Sequence, residues 1–231
     1  MTIAAGVLTH DAIRYDRLDL FKQTVRSLVA QKPDFLYLVS NGSTDGTEAY
    51  VASLGGLVVN DPISSCGHGM NVTMGACVGS GADVVVFSND DIIWHPDALG
   101  LISEFWAAAP DDVVIAAGIL EDDYPWNTAL ERLEVAGQGG LVRLTAPGGA
   151  WTFRARDWGL IHPIPEAPGW DDVPTCQRLQ WHGYRVAQFD WAEHIGEERS
   201  TWGNISGDFR KPLDYEGWGI PCPRRLDKAD A

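Results

Sequence analysis

The chain has 231 residues, of which 45% are hydrophobic and 21% charged, and its formal net charge is −15 at pH 7. This composition excludes a disordered chain, and no apolar run approaches the roughly 18 residues that a membrane-spanning helix needs. The acidity argues against general affinity for a nucleic-acid backbone, which depends on clusters of Lys and Arg. Residues 33–131 contain fifteen acidic residues and no Lys or Arg, so the net charge lies in one block.

Strand and helix patterns alternate along the first half of the chain. Apolar runs predict strands at 3–8, 35–39, 57–59, 83–87 and 113–117, with helices between them at 18–31, 45–54, 67–77 and 96–106. Pro96 is expected in the first turn of the last of these helices. Strands without alternation, separated by helices, indicate an α/β fold with a mostly parallel sheet covered on both faces.

The second half of the chain is less regular and rich in Gly, Pro and Trp. It contains turn signals at 147–149 and 165–169, a predicted helix at 173–182 and a predicted strand at 185–189. Residues 203–231 are expected to form an irregular tail. We expect a single compact domain with three parts, at 1–110, 111–202 and 203–231.

The cysteines and the N-terminal residues bear on the cellular compartment. The four cysteines form no CxxC pair, which predicts neither a zinc site nor a disulfide framework. Residues 1–8 lack the basic segment of a signal peptide and are followed by the polar Thr9-His10-Asp11. We therefore expect a cytoplasmic protein with no stable membrane anchor.

An acidic motif, Asn89-Asp90-Asp91, directly follows the strand at 83–87. Ligands of parallel sheets bind beyond the carboxyl ends of the strands, which makes this motif, Thr9 and Ser40–Ser43 site candidates. Adjacent carboxylates with no basic residue nearby in sequence repel one another unless a cation binds, and Mg²⁺ and Mn²⁺ prefer carboxylate oxygens. A polar turn that caps the next helix is the alternative interpretation.

A second acidic pair, Asp171-Asp172, precedes the predicted helix at 173–182. It is interpreted either as a helix cap or as a general base that accepts a proton from a hydroxyl, and the two roles are compatible. His194 becomes a candidate metal ligand if it lies near the first acidic motif. Arg199 and Ser200 follow it and could hold phosphate oxygens.

Two common nucleotide-binding motifs are missing. Gly67-His68-Gly69 resembles half of the dinucleotide fingerprint, but Val72 occupies the position of its third glycine, and no P-loop is present. Interpretations as a dinucleotide-dependent oxidoreductase or an ATPase therefore lose their main support.

Taken in order, five segments resemble the GT-A glycosyltransferases, specifically the inverting enzymes of family 2. The resemblance covers about residues 3–202, and the matching segments are Ser40–Thr47, Gly67–Asn71, Phe87–Asp91, Pro96–Leu99 and Gly169–Arg178. It implies a Rossmann-like sheet with a donor-binding half at 1–110 and an acceptor-binding, catalytic half at 111–202. It also implies a nucleotide-diphosphate sugar as donor, with a UDP-sugar as the first expectation, and Mn²⁺ or Mg²⁺ as cofactor.

The resemblance also implies roles for individual residues. Together with the candidates above, the donor contacts are Thr9 and Asn41 at the base, Asp90 at the ribose or sugar, and Arg199 and Ser200 at the phosphates. Asn89 is a further donor contact. The metal ligands are Asp91 and His194, the general base is Asp172, and the acceptor contacts are Trp151, Trp170 and Asp171. Three departures stand out from the family pattern: Ser40-Asn41 replaces acidic residues, Asn89 replaces the first Asp of a DxD motif, and Pro174 replaces another acid.

The acidic block, residues 33–131, largely coincides with the donor-binding half. The donor would carry two phosphates, whose negative charge this acidic block would repel. We therefore expect the positive charge to come from a divalent ion on Asp91 and from residues of the second half such as Arg199.

Alternative functions remain open at this point. A nucleotidyltransferase also needs carboxylates and a metal, and a carbohydrate-binding protein without catalytic activity would use the ten tryptophans. The acceptor could be a glycan, a small molecule or a hydroxymethylated base in DNA. For the last of these, the basic clusters at 210–211 and 224–228 could contact phosphates.

Overall fold

The structure is a computed structural model that describes residues 1–60, 65–120, 129–166 and 172–195. Four predicted site residues lie outside these ranges, namely Trp170, Asp171, Arg199 and Ser200, as does the tail at 203–231 with its basic clusters. Within the described ranges, no helix is both long enough and apolar enough to cross a membrane.

Strands and helices alternate through the first half of the chain, as predicted. The strands are β1 Ile3–Thr9, β2 Phe35–Asn41, β3 Leu57–Val59, β4 Val84–Asn89, β5 Ile92–Trp94, β6 Val113–Ala117, β7 Ala129–Val135, β8 Gln138–Arg143, β9 Trp151–Arg154, β10 Arg185–Gln188 and β11 Ala192–His194. The helices are α1 Leu18–Val29, α2 Thr47–Ser53, α3 Cys66–Gly79, α4 Ala98–Ala108, α5 Trp158–Ile161 and α6 Asp172–Trp181.

The strands form a nine-stranded sheet in the order β3-β2-β1-β4-β9-β6-β10-β8-β7, and β5 pairs with β11 in a separate ribbon. Neighbouring strands are parallel from β3 to β4, and β6 is parallel to β10. Strand β9 is antiparallel to both of its neighbours, β4 and β6. The predicted α/β fold class is confirmed, and the carboxyl ends of β1, β2 and β4 lie side by side.

The buried core explains why these segments are strands. All seven residues of β1 are buried, and Val84–Phe87 of β4 are fully inaccessible, as expected for strands covered on both faces. Helix α3 approaches the sheet closely, because a Cβ on Gly69 would lie 2.7 Å from the Leu8 side chain and 3.1 Å from Asn41 Cβ. Gly69 therefore allows the close packing of α3 against the sheet.

Two local expectations were wrong or incomplete. The helix expected from Pro96 begins at Ala98, because Asp97 before it has a left-handed φ of 66° that no helix continues through. The β7–β8 hairpin was not predicted. Its turn is Ala136-Gly137, with φ values of 52° and 75°, and Ala136 is a residue that a sequence pattern does not mark as left-handed.

Candidate active site

The ends of β1 and β4 bring Thr9 and Asp90 together. Leu8 pairs with Asn89 across these strands, so the residues that follow them emerge at the same edge of the sheet. Thr9 Oγ1 donates a hydrogen bond of 2.5 Å to Asp90 Oδ2, and both side chains are buried. Burial raises the pKa of Asp90 to about 7, which disfavours its charged form, while the nearby guanidinium of Arg17 and the bond from Thr9 act in the opposite direction.

Arg17 is a functional candidate that the sequence analysis missed. Its Nη1 lies 3.1 Å from Asp90 Oδ1 and 3.8 Å from Asp91 Oδ2, and its Nη2 donates to the carbonyl of His10 at 3.0 Å. The expectation that the acidic motif has no positive partner in this half of the chain was therefore wrong. Arg17 lies far from the motif in sequence, and the loop between β1 and α1 carries it there.

Asp91 and His194, the two predicted metal ligands, are adjacent. His194 Nε2 lies 3.1 Å from Asp91 Oδ2. Strand β11 pairs with β5 so that His194 stands opposite Ile92, and the Ile195 amide donates to the Asp91 carbonyl at 2.8 Å. The β5–β11 ribbon thus positions both side chains, and neither of its short strands was predicted from the sequence.

The Asp91–His194 pair is chemically suited to a divalent cation. Asp91 Oδ1 is buried and has no hydrogen-bond partner, so this carboxylate oxygen is available to coordinate a cation. Within the described ranges no group of three or more His, Cys, Asp or Glu side chains forms a metal site. A set of two protein ligands matches the way Mg²⁺ binds through one or two carboxylates and substrate phosphates, and imidazole suits Mn²⁺.

Asn41 ends β2, which is separated from β4 by β1, and is also buried. Its Nδ2 donates to the Ser65 carbonyl at 2.8 Å, whereas its Oδ1 has no hydrogen-bond partner. Its backbone carbonyl accepts a hydrogen bond of 2.7 Å from His10 Nδ1. The bond from Nδ2 holds the side-chain amide of Asn41 in one orientation, in which Oδ1 remains available as a hydrogen-bond acceptor.

Asp172, the predicted general base, is the first residue of α6. Its Oδ2 accepts a hydrogen bond from the Gly148 amide at 3.0 Å, and its Oδ1 accepts one from the Val173 amide at 2.9 Å. Burial raises the pKa of Asp172, and these two hydrogen bonds oppose the increase. A fixed carboxylate with a raised pKa is what a general base requires.

The Gly148-Gly149 turn connects the two acidic motifs. Gly148 donates to Asp172, and the Gly149 carbonyl accepts a hydrogen bond of 2.8 Å from the Asn89 amide. A Cβ on Gly148 would lie 3.0 Å from Asp172 Cβ, and one on Gly149 would lie 3.2 Å from Asn89 Nδ2. The sequence marked this segment only as a turn, although its paired glycines were the available signal of a close approach.

Of the three predicted acceptor contacts, the described ranges include only Trp151. Trp151 has an exposed fraction of 0%, lies in β9 at the centre of the sheet and donates from Nε1 to the Ala146 carbonyl at 3.1 Å. It therefore belongs to the core and offers no surface to an acceptor, which corrects the expectation drawn for it. Trp170 and Asp171 lie outside the described residues.

Residues 13–158 match the profile of the family described as Glycosyl transferase family 2. The chain belongs to this family. The match confirms the resemblance drawn from the sequence motifs, and it spans both α1 and the acidic motif. No curated protein sequence matches the chain.

Solved structures with the GT-A fold are similar to this one. The mannosyltransferase PcManGT from Pyrobaculum calidifontis, in complex with GDP-Man and Mn²⁺, has a TM-score of 0.58 at 18% identity, over 84% of this chain and 57% of that one. S. aureus TarS 1–349 has a TM-score of 0.56 at 14% identity, over 86% and 62% of the two chains. GalNAc-T7 with UDP, GalNAc and Mn²⁺ has a TM-score of 0.56 at 12% identity, over 85% and 44%. The chain thus spans less than two thirds of these proteins, and the likeness shows the fold.

Proposed function

We propose that this enzyme transfers a sugar from a nucleotide-diphosphate sugar to an acceptor hydroxyl, with a divalent cation and with inversion at the anomeric carbon. The supporting observation is that the Asp91–His194 pair and Asp172 are connected at one edge of the sheet through Asn89 and the Gly148-Gly149 turn. A single displacement needs a cation that stabilises the leaving diphosphate and a base that activates the incoming hydroxyl, and both must act at one site.

Asn41 is proposed to recognise the donor base. Its unpartnered Oδ1 can accept a hydrogen bond from the donor base, and the ring N–H of uracil or guanine is a suitable donor. The similar structures contain GDP-Man in one case and UDP in another, which supports both bases as candidates. Thr9 is proposed to act indirectly, because its hydroxyl hydrogen is directed to Asp90.

Asp91 and His194 are proposed to hold the divalent cation. When bound there, Mn²⁺ or Mg²⁺ would neutralise the negative charge that develops on the leaving diphosphate. The imidazole favours Mn²⁺ over Mg²⁺, since Mg²⁺ prefers oxygen ligands. Two similar structures contain Mn²⁺, which supports the same choice.

Asp172 is proposed to take the proton from the acceptor hydroxyl. The amides of Gly148 and Val173 hold its two oxygens in place, so the carboxylate need not reorganise when the hydroxyl arrives. Because the attacking oxygen enters on the face opposite the departing diphosphate, one displacement inverts the anomeric centre.

Product analysis tests the proposal. The enzyme is incubated with Mn²⁺ and a panel of UDP- and GDP-sugars, and the released nucleotide is separated by ion-exchange chromatography. Release of a nucleoside diphosphate is expected, whereas release of a sugar 1-phosphate would indicate transfer of the nucleotidyl group and refute the proposal. Mass spectrometry of trapped glycosylated products then distinguishes a glycan, a small molecule and a hydroxymethylated DNA base as acceptor.

A further inference from the structure

Three charged side chains are buried together at the end of β4. Arg17, Asp90 and Asp91 each have less than 5% of their surface exposed. Arg17 Nη1 approaches an oxygen of each carboxylate, at 3.1 Å and 3.8 Å. Buried charges of this kind are retained only when they are paired, so the arginine stabilises the two adjacent carboxylates when no metal is bound.

The same arginine opposes a cation at Asp91. A divalent ion bound to this carboxylate would lie a few ångströms from the guanidinium, in a buried site where like charges interact strongly. A diphosphate that enters with the ion adds negative charge and offsets this repulsion. The cation and the nucleotide are therefore expected to bind cooperatively, and Arg17 sets the strength of that coupling.

We propose that Arg17 is a positioning residue that holds Asp90 and Asp91 in the absence of metal and makes cation binding dependent on the donor diphosphate. This inference rests on the proposed function, because it takes Asp91 and His194 as the cation ligands. Asp91 Oδ1, which is buried and has no hydrogen-bond partner, is the oxygen that remains available once Arg17 and His194 face Oδ2.

Arg17 could instead serve the loop alone, since its Nη2 also binds the His10 carbonyl at 3.0 Å. A charge cycle separates the two roles. Arg17→Met removes the positive charge, and the double variant R17M/D90N also removes one negative charge. A purely structural arginine predicts that neither variant binds Mn²⁺ more tightly than the wild type. An electrostatic role predicts that R17M binds Mn²⁺ more tightly and that the double variant returns towards the wild-type affinity.

The test measures free Mn²⁺ by electron paramagnetic resonance at pH 8, with no nucleotide, with UDP and with GDP. R17M is expected to bind Mn²⁺ alone on the order of tenfold more tightly than the wild type, and to gain less from nucleotide. R17M/D90N is expected to return to near the wild-type affinity. Arg17→Gln, whose amide can still donate to Asp90, is the second neutral variant in case R17M does not fold.

Arg14 provides the matched control. It lies in the same loop and is paired with Asp11 at 2.5 Å, so R14M removes one positive charge without changing the contacts of the acidic motif. Its Mn²⁺ affinity is expected to stay within about twofold of the wild type. The inference is overturned if the wild type binds Mn²⁺ but R17M and R17Q bind it no more tightly. If the wild type binds no Mn²⁺ even with UDP or GDP, the metal dependence of the proposed function fails, and the inference fails with it.

Discussion

Substitution of Gly148 by alanine is expected to displace the proposed general base, Asp172, without removing it. A Cβ at this position would lie 3.0 Å from Asp172 Cβ and 3.4 Å from its Cγ and Oδ2, so Gly148→Ala must displace the carboxylate by a few tenths of an ångström. Since a displacement of about 1 Å in an active site costs on the order of 100-fold in rate, we expect kcat to fall about threefold to tenfold. Nucleotide binding, which is proposed at the other acidic motif, is expected to be unchanged.

The assay is steady-state release of the nucleoside diphosphate in the presence of acceptor. Gly139→Ala is the matched control, because no atom lies within 4 Å of the added Cβ, and we expect wild-type kcat. Asp172→Asn sets the lower limit, with an expected loss of about 100-fold or more, as for removal of a general base. The reasoning is refuted if D172N transfers at the wild-type rate, or if G148A is unaffected while D172N is inactive.

The remaining predictions concern the metal, the pH dependence and the core. Asp91→Ala is expected to abolish Mn²⁺-dependent binding of UDP and GDP in calorimetry, and binding that persists unchanged would remove Asp91 as a ligand. The raised pKa of Asp172 predicts that kcat falls on acidification at a higher pH than an ordinary Asp would allow, because a base must be deprotonated; a pH–rate profile flat down to about pH 4 would contradict this. Gly6→Ala would place a Cβ 2.5 Å from Thr73 Cγ2 and 2.9 Å from Cys77 Sγ, and we expect a loss of about 1–3 kcal/mol in the free energy of unfolding by urea. An unchanged urea midpoint would show that α3 moves away freely.

Residue patterns along the chain were sufficient for the family and for the strands and helices up to β6, except β5. Apolar runs without alternation identified β1, β2, β4 and β6, because strands buried on both faces need no polar positions. The position of Asn89–Asp91 at the end of β4 and of Asp172 at the start of α6 then marked both acidic motifs. These features depend on neighbours in sequence, which is why they could be predicted.

Contacts between distant segments could not be predicted in the same way. Trp151 was expected at an acceptor pocket from the family resemblance, yet β9 lies between β4 and β6 and buries the ring completely. The β5–β11 ribbon, which places His194 beside Asp91, consists of two three-residue strands that are too short to produce a periodic signal. The connection of Asp172 to Asn89 likewise depends on a turn whose partners lie in other parts of the chain.

The charge distribution shows most clearly how residue patterns in the sequence differ from contacts between distant segments. The sequence by itself determined that residues 33–131 contain fifteen acidic residues and no Lys or Arg. Only the tertiary structure decided that Arg17, from before this block, lies 3.1 Å from Asp90. Electrostatic energy depends on distance in space and on burial, whereas a count along the chain records neither.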